Sequence, residues 1–356
     1  MNVNLQDFGY GNDFAQEAEK YEGLFPARVS EQHRELYKVI CPRGEIEARV
    51  SGKFAHWADD ETSFPTVGDW VMIDRLDGRT GHAIIHHLLP RKSVLMRQMA
   101  GTKSTGQLIA ANIDTVFICM SLNEDFNVRR LERYLSIVWD SMALPVIVLT
   151  KSDLCTDLPH KLREIAGVSL GVDVITCSAM HREGIDEIRS YIAPGKTIAF
   201  VGSSGVGKST IINTLMGTDV LVTQAIREDD GKGRHTTTHR QLLLLPGGGI
   251  VIDTPGMREL QIYAADLTRA FEDVEELSAL CRFSDCSHGS EPGCAVRAAI
   301  ADGTLSEERF ESYIKLQREA LYAGLKARER ELAKLNRMFG GKSGVRQHQK
   351  YVKNRR

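Results

Sequence analysis

TIAFVGSSGVGKST, residues 197–210, passes from a β-type run into a glycine-rich turn and then into Lys208, Ser209 and Thr210 at the head of a helical run. Gly202, Ser203, Ser204, Gly205, Val206, Gly207, Lys208 and Ser209 match G-x-x-x-x-G-K-[ST], and the strand before and helix after supply the context that motif needs. Glycines let backbone N–H groups wrap around phosphates, and the helix N-terminus favours negative charge. Lys208 can reach the β and γ phosphates, and Ser209 can ligate Mg²⁺. The competing reading is a glycine-rich strand-to-helix turn that binds nothing; the flanking elements favour the phosphate loop.

Downstream, Asp253-Thr254-Pro255-Gly256 closes an IVID run, 51 residues after Gly202. A carboxylate at a strand end can hold magnesium through water, and the Gly256 N–H can donate to a γ-phosphate. Alone, D-x-x-G carries no information; after a phosphate loop it becomes specific. Upstream, Thr150-Lys151-Ser152-Asp153 follows the run PVIVL, and Cys177-Ser178-Ala179 ends the next β-type run. The Asp153 carboxylate can accept two parallel N–H bonds from guanine N1 and N2, which adenine does not offer, while Lys151 lies along the base. In isolation TKSD also reads as a helix-capping turn. Beside the other motifs, base recognition by residues 150–153 with Ser178 and Ala179 is the stronger reading.

The order is therefore base recognition, Ser-Ala, phosphate loop, switch I, D-x-x-G, whereas ordinary GTPases begin with the phosphate loop. The G domain reads as circularly permuted, which is tolerable because domain termini lie close together at the surface. Around these motifs β-type runs alternate with helical ones: DTVFICMSL, VRRLERYLSIVWD, PVIVLTKSD, a helix over 158–166, DVITCSAM, helices over 185–192 and 208–216. That alternation predicts a parallel sheet covered by helices, with QLLLL and IVIDTPG as an antiparallel hairpin at its edge.

Before this region, YKVI, IEARVSG, GDWVMIDRL, HAIIHHLL and SVLMR are short β-type runs separated by Gly, Pro and Asp turns. Five such strands suit a small barrel, with the OB-fold the first expectation. Residues 1–33 show no sustained periodicity and read as a mobile arm. The expected architecture is multidomain α/β: arm 1–33, OB-type barrel 34–100, permuted GTPase domain 101–265, zinc-binding helical domain 266–339 with a long helix over 306–339, and basic tail 340–356.

Cys281, Cys286, His288 and Cys294 give C-x₄-C-x-H-x₅-C, with Gly289, Pro292 and Gly293 to turn the chain. Three thiolates and an imidazole suit a closed tetrahedral Zn²⁺ site with a structural role. Reduced, unliganded or redox-active thiols are the alternatives, and the absence of C-x-x-C weakens the redox one. Cys41, Cys119, Cys155 and Cys177 are scattered and read as small buried hydrophobes.

Composition gives 45 Lys+Arg against 47 Asp+Glu, 42% hydrophobic residues and only 10 Pro, which excludes a disordered or collagen-like chain. The net charge of −2 argues against a nucleic-acid partner only if it is evenly spread. It is not: residues 322–356 hold eleven Lys/Arg and two Glu, a local +9, leaving −11 for the rest. A solvated, frayed terminus and an RNA-contacting tail are both open readings, and eleven cations beside Gly340, Gly341 and Gly344 favour the second. No run approaches about 18 apolar residues and the first twenty residues lack a signal-peptide pattern, so a cytoplasmic protein without membrane contact is expected.

The barrel, the permuted G domain with GKGRHTTTHR at 231–240, and CRFSDCSH with EPGC over 281–294 together resemble the small-ribosomal-subunit-dependent GTPase family RsgA, also called YjeQ or YloQ. The resemblance covers nearly the whole chain from about residue 35. It implies a GTPase of late 30S subunit maturation, bound to GTP with Mg²⁺, docking on 16S rRNA near the decoding region and stimulated by the subunit. It also implies help in displacing the assembly factor RbfA. Barrel contacts to rRNA through Arg43, Lys53, Arg91, Lys92 or Arg97 rest mostly on the same resemblance. The protein is expected to act as a monomer.

Two departures stand out. Thr150 replaces the usual Asn, removing an amide but keeping Asp153, so guanine specificity survives with weaker affinity expected. Met257 stands where many GTPases carry a water-orienting Gln, and a thioether makes no useful hydrogen bond to water, so slow hydrolysis awaiting a partner is expected. His235 in switch I is the candidate substitute, with Thr237 completing the Mg²⁺ shell beside Ser209 and Asp253; the alternative is that His235 and Arg234 are solvated loop residues touching RNA. Two other functional classes remain open: a GTP switch recruiting a protein through the zinc module, and a P-loop kinase or ATPase, which equal use of ATP would reveal.

Overall fold

The computed structural model describes residues 2–33, 36–58, 61–79, 81–98, 106–221, 240–253, 267–289 and 291–320. The chain forms two compact units, one of Met1–Arg97 with Gln107–Leu260 and one of Gln98–Gly106 with Gln261–Arg356.

The first unit opens with a 3₁₀ turn, Leu5–Phe8, and helix α1, Asn12–Ala18. Strands β1 (Phe25–Gln32), β2 (Tyr37–Cys41) and β3 (Gly44–Val50) follow, then helix α2 (Gly52–Trp57), β4 (Trp70–Ile73) and β5 (Ala83–Leu88). The order β1-β2-β3-β5-β4 closes through a β1–β4 pairing into a five-stranded barrel, antiparallel except for β3 with β5. The helix between β3 and β4 starts where the Ser51 hydroxyl accepts from the Phe54 N–H, a side-chain N-cap. Ala27, Val29, Val39, Val71, Ile73 and Ile85 fill the interior.

Residues 1–33 are thus not a mobile arm. β1 is a barrel strand and the segment before it packs: Trp70 sits 4.9 Å from the Tyr10 ring and 5.8 Å from Phe14. β1 escaped the periodicity reading because Ala27, Arg28, Val29 and Ser30 are all buried, so no apolar/polar alternation is written into it. The barrel therefore begins at Phe25, not at residue 34. Conversely SVLMR is not its fifth strand; β6 (Val94–Gln98) pairs with β7 (Gly106–Ala111) in a separate two-stranded sheet.

Strands β8 (Thr115–Ser121), β9 (Leu144–Thr150), β10 (Asp173–Cys177), β11 (Thr197–Val201), β12 (Gln241–Leu244) and β13 (Ile250–Asp253) order as β10-β9-β8-β11-β13-β12. The first five are mutually parallel and β12 is antiparallel to β13. Every residue of β8 is buried, as expected for a parallel strand covered on both faces. Helices α3 (Val128–Asp140), α4 (Leu158–Ala166), α5 (Ile185–Arg189) and α6 (Lys208–Met216) link the strands, α3 and α4 starting on the side-chain caps Asn127 and Asp157. The β12–β13 hairpin is not a free edge: Gln241 pairs with Glu31 of β1, so the sheet runs on into the barrel.

Arg28 fastens that seam. Its guanidinium donates to the carbonyls of Phe8, Gly68 (3.2 Å) and Asn112 (3.3 Å) and to the Thr197 hydroxyl (2.8 Å). Burial lowers its pKa to about 10, against the opposing fields of Asp114 and Asp69, so it stays charged at neutral pH. Arg91 also turns out to be structural: it holds buried Asp69 through both oxygens, at 2.9 and 2.7 Å, and caps the Thr62 and Phe64 carbonyls. It is committed to the fold rather than offered to rRNA.

The second unit contains α7 (Glu272–Ala279), α8 (Ala295–Ala301) and α9, residues 307–320. Arg309 of α9 grips Asp273 of α7 at 2.6 and 2.7 Å and the Ala270 carbonyl at 3.0 Å, and the Tyr313 hydroxyl donates to Glu275 at 2.8 Å. The expected continuation of this helix to 339, and the tail, lie outside the described residues. Among the described residues no helix is long and apolar enough to cross a membrane.

Candidate functional site

In a parallel sheet, ligands collect beyond the carboxyl ends of the strands where the chain order reverses direction. Here the chain builds β8, β9 and β10 outward on one side and then β11 and β13 on the other, so the reversal lies between β8 and β11. TKSD leaves the end of β9, CSA the end of β10, the phosphate loop the end of β11 and Asp253 ends β13. Four motifs separated by up to about a hundred residues in sequence share one edge because their strands are parallel.

Gly202 is required by packing: a Cβ there would meet the Cys119 carbonyl oxygen at 2.2 Å, with φ at +142°. The phosphate loop therefore turns directly against β8. Gly207, at φ +101°, sets the start of α6, and Lys208 folds its ammonium back to donate to the carbonyls of Gly202 (2.8 Å) and Ser203 (2.6 Å). Val206 is buried in the sheet core, which anchors the loop from its middle.

Two hydrogen bonds join the motifs. The Thr150 hydroxyl donates to the Val206 carbonyl at 2.5 Å, tying the end of β9 to the phosphate loop across 56 positions. The Ser178 hydroxyl donates to Asp153 Oδ1 at 2.6 Å, tying CSA to TKSD. That hydroxyl holds the Asp153 carboxyl below the usual carboxylate range, with smaller help from His181 and Lys151. Lys151 occupies the left-handed region at φ +56°, Ser152 and Asp153 start a short 3₁₀ turn, and Ala179 packs on the sheet core. Cys119 and Cys177 are buried beneath this edge, their thiols pushed by burial up to about 12 and about 11, as befits core residues. Cys41 is buried too, while Cys155 is only half-buried.

His235, Thr237, Gly256 and Met257 lie outside the described residues, and of Asp253 the backbone alone is described. A neighbour of these motifs that the sequence reading did not name is His181, whose ring Nδ1 lies 3.2 Å from the Ser178 hydroxyl. Nothing in CSAMHREG marks it, since a histidine four residues past a strand looks like any exposed loop residue.

In the second unit the ligand atoms of Cys281, Cys286, His288 and Cys294 all lie within 4.8 Å of one another. Tetrahedral zinc with Zn–S of about 2.3 Å and Zn–N of about 2.05 Å requires edges of roughly 3.8 Å between sulfurs and roughly 3.6 Å from sulfur to nitrogen. The Cys281–Cys294 sulfurs are 3.9 Å apart, and His288 Nδ1 is 3.6 and 3.5 Å from them. The residues fit the ion.

The surroundings prepare them for it. The Ser278 hydroxyl donates to the Val274 carbonyl at 2.7 Å, so at 3.2 Å it accepts from His288 Nε2–H, which leaves the Nδ1 lone pair for the metal. Cys294 caps α8, taking the Arg297 N–H on its sulfur at 3.4 Å. Burial opposes ionisation of Cys281, yet the Val296 and Ala295 N–H groups hold its thiol below the ordinary value. Glu291 shapes the loop between the ligands, accepting from the N–H groups of Ser287 (3.0 Å) and Gly289 (2.7 Å). Neither Ser278 nor Glu291 belongs to the spacing pattern, so only the fold reveals them.

The family model for the RsgA GTPase matches residues 88–263. The small ribosomal subunit biogenesis GTPase RsgA 2 of Lactiplantibacillus plantarum is 55% identical over 346 residues, covering 97% of each chain. The crystal structure of YjeQ from Thermotoga maritima superposes with a TM-score of 0.62 at 28% identity, over 84% of this chain and 99% of that one. YloQ, a circularly permuted GTPase, shares the fold at a TM-score of 0.60 and 24% identity, over 84% and 96% of the two chains. With a permuted nucleotide edge, a closed barrel and a Cys₃His cluster on one chain, this protein belongs to the RsgA GTPase family.

Proposed function

We propose that this protein hydrolyses GTP in the biogenesis of the small ribosomal subunit, binding the nucleotide at the carboxyl edge of its parallel sheet. The observation that carries the reading is the Thr150–Val206 hydrogen bond, because it locks the base-reading segment to the phosphate-binding loop. The names of the curated relatives supply the ribosomal setting.

In this reading the backbone of Gly202, Ser203, Ser204, Gly205, Val206 and Gly207 cradles the phosphates, with Lys208, Ser209 and Thr210 at the helix start. Asp153 reads guanine, flanked by Thr150, Lys151, Ser152, Ser178 and Ala179. Ser209, Thr237 and Asp253 hold magnesium, which when bound neutralises phosphate charge. Gly256 contacts the γ-phosphate, and His235 orients water where Met257 cannot. Cys281, Cys286, His288 and Cys294 hold one structural zinc. The monomer works in the cytoplasm, docks on 16S rRNA near the decoding region with help from its basic tail, and leaves on hydrolysis, assisting release of factors such as RbfA.

GTP turnover measured alone and with purified 30S, 50S or 70S particles tests this. Selective stimulation by 30S particles is expected; no stimulation by any particle refutes the ribosomal role.

A further inference from the structure

The Ser178 hydroxyl has one proton and three polar neighbours. Asp153 Oδ1 lies 2.6 Å away, His181 Nδ1 3.2 Å and the His181 backbone nitrogen 3.4 Å. A carboxylate only accepts, so the hydroxyl proton goes to Asp153. The imidazole must then donate, with its proton on Nδ1, and the backbone N–H donates alongside it. The three groups form a directed chain, His181 Nδ1–H to Ser178 Oγ–H to Asp153 Oδ1.

Such a chain does more than the Ser–Asp bond alone. Donors on an oxygen polarise its O–H, strengthening the bond it makes in turn. Ser178 is fully buried and held at both backbone groups by Glu183, through N–H to carbonyl bonds of 3.1 and 3.0 Å. Its hydroxyl can still rotate, so Ser178 fixes a position and the two His181 donors fix a direction. Asp153 rides on a short 3₁₀ turn of which no residue is buried.

We propose that His181 is a positioning residue for guanine recognition, acting on Asp153 through the Ser178 hydroxyl. His181 itself is exposed. The proposal rests on the guanine-nucleotide reading of this edge.

The test compares GDP and IDP affinities of the full chain by competition against a fluorescent guanine nucleotide, IDP lacking the 2-amino group that Asp153 reads. His181→Ala should weaken GDP about fivefold, the loss of one hydrogen bond's worth of alignment, and compress the GDP-to-IDP ratio. His181→Asn places an amide N–H where Nδ1 sits and should restore both quantities. His181→Gln places it near the Nε2 position and should behave as alanine does. Because the proposed route runs through the hydroxyl, Ser178→Ala with His181→Ala should bind no more weakly than Ser178→Ala alone.

Wild-type GDP affinity and ratio in His181→Ala would overturn the proposal, as would additive losses in the double variant or an Asn variant as weak as the Ala variant. A wild-type protein that binds ADP as well as GDP would instead overturn the guanine reading beneath it.

Discussion

The nucleotide edge and the Cys/His cluster solve the same problem, bringing four groups together, by opposite means. The edge draws its groups from the ends of β9, β10, β11 and β13, spread from Thr150 to Asp253, and a hydrogen-bonded sheet with a dry core holds them in place. The cluster draws its groups from fourteen consecutive residues between α7 and α8, of which, among the described residues, only Cys294 is buried. Leu280 and Phe283, beside the first ligand, are exposed at 74% and 41%. A sheet can hold its site before any ligand arrives, whereas a short loop between two helices needs the metal as its core.

The largest effect should therefore come from the smaller region. Cys294→Ser removes a buried thiolate ligand while leaving a hydroxyl able to cap α8, and structural zinc in small modules contributes about 10 kcal/mol or more of folding free energy. Elemental analysis should show loss of zinc, and hydrogen exchange should show rapid exchange in α7 and α8. GDP affinity should stay within about twofold, because the change lies in the other compact unit of the chain and none of the bonds described above joins it to the nucleotide-edge groups. Metal-free protein with α7 and α8 still protected would break the contrast, since the loop would then be self-sufficient.

The same contrast explains what could be read in advance. Ligand spacing is a local property, so C-x₄-C-x-H-x₅-C is legible as it stands, and the phosphate loop is legible because strand, glycines and lysine are contiguous. The boundaries of α3, α4 and α6 follow from caps and apolar spacing within the segments themselves. β1 was not legible because Arg28 points into a seam made by residues 8, 68, 112 and 197 and the buried Ser30 is held by Glu45 of β3, and a buried arginine looks like a surface one until those partners are present. SVLMR misled for the matching reason: its β-type residues fix that it is a strand, while its partner, residues 106–111, decides which sheet it joins. The bonds from Thr150 to Val206 and from Ser178 to Asp153 span 56 and 25 positions, and motif reading names their ends without showing that they touch.

On the sheet side the most damaging single change should be Gly202→Ala. The added Cβ would lie 2.2 Å from a carbonyl oxygen of β8, at a φ that L-residues rarely adopt, and neither strand can yield without breaking the β8–β11 ladder. A cost of roughly 3 kcal/mol is expected. Thermal unfolding should fall and GDP binding should be lost with zinc content unchanged, the mirror image of the Cys294 variant. If Gly202→Ala bound GDP normally, the edge would have the compliance assigned here to loops.

Thr150→Val asks for the smallest response and probes the sheet site most finely. Valine keeps the shape and the burial of the strand end but removes the only side-chain donor to the Val206 carbonyl shown there, leaving that oxygen to the weaker company of its own loop. The loss of one neutral hydrogen bond is worth about 1 kcal/mol, or about fivefold in affinity. That loss should fall equally on GDP and IDP, since Thr150 steadies the phosphate loop and does not read the base. The equality separates it from His181→Ala, which should distinguish the two nucleotides. A Thr150→Val protein that lost guanine preference rather than affinity would mean that the strand end, not the Ser178 hydroxyl, sets the direction of the Asp153 carboxylate.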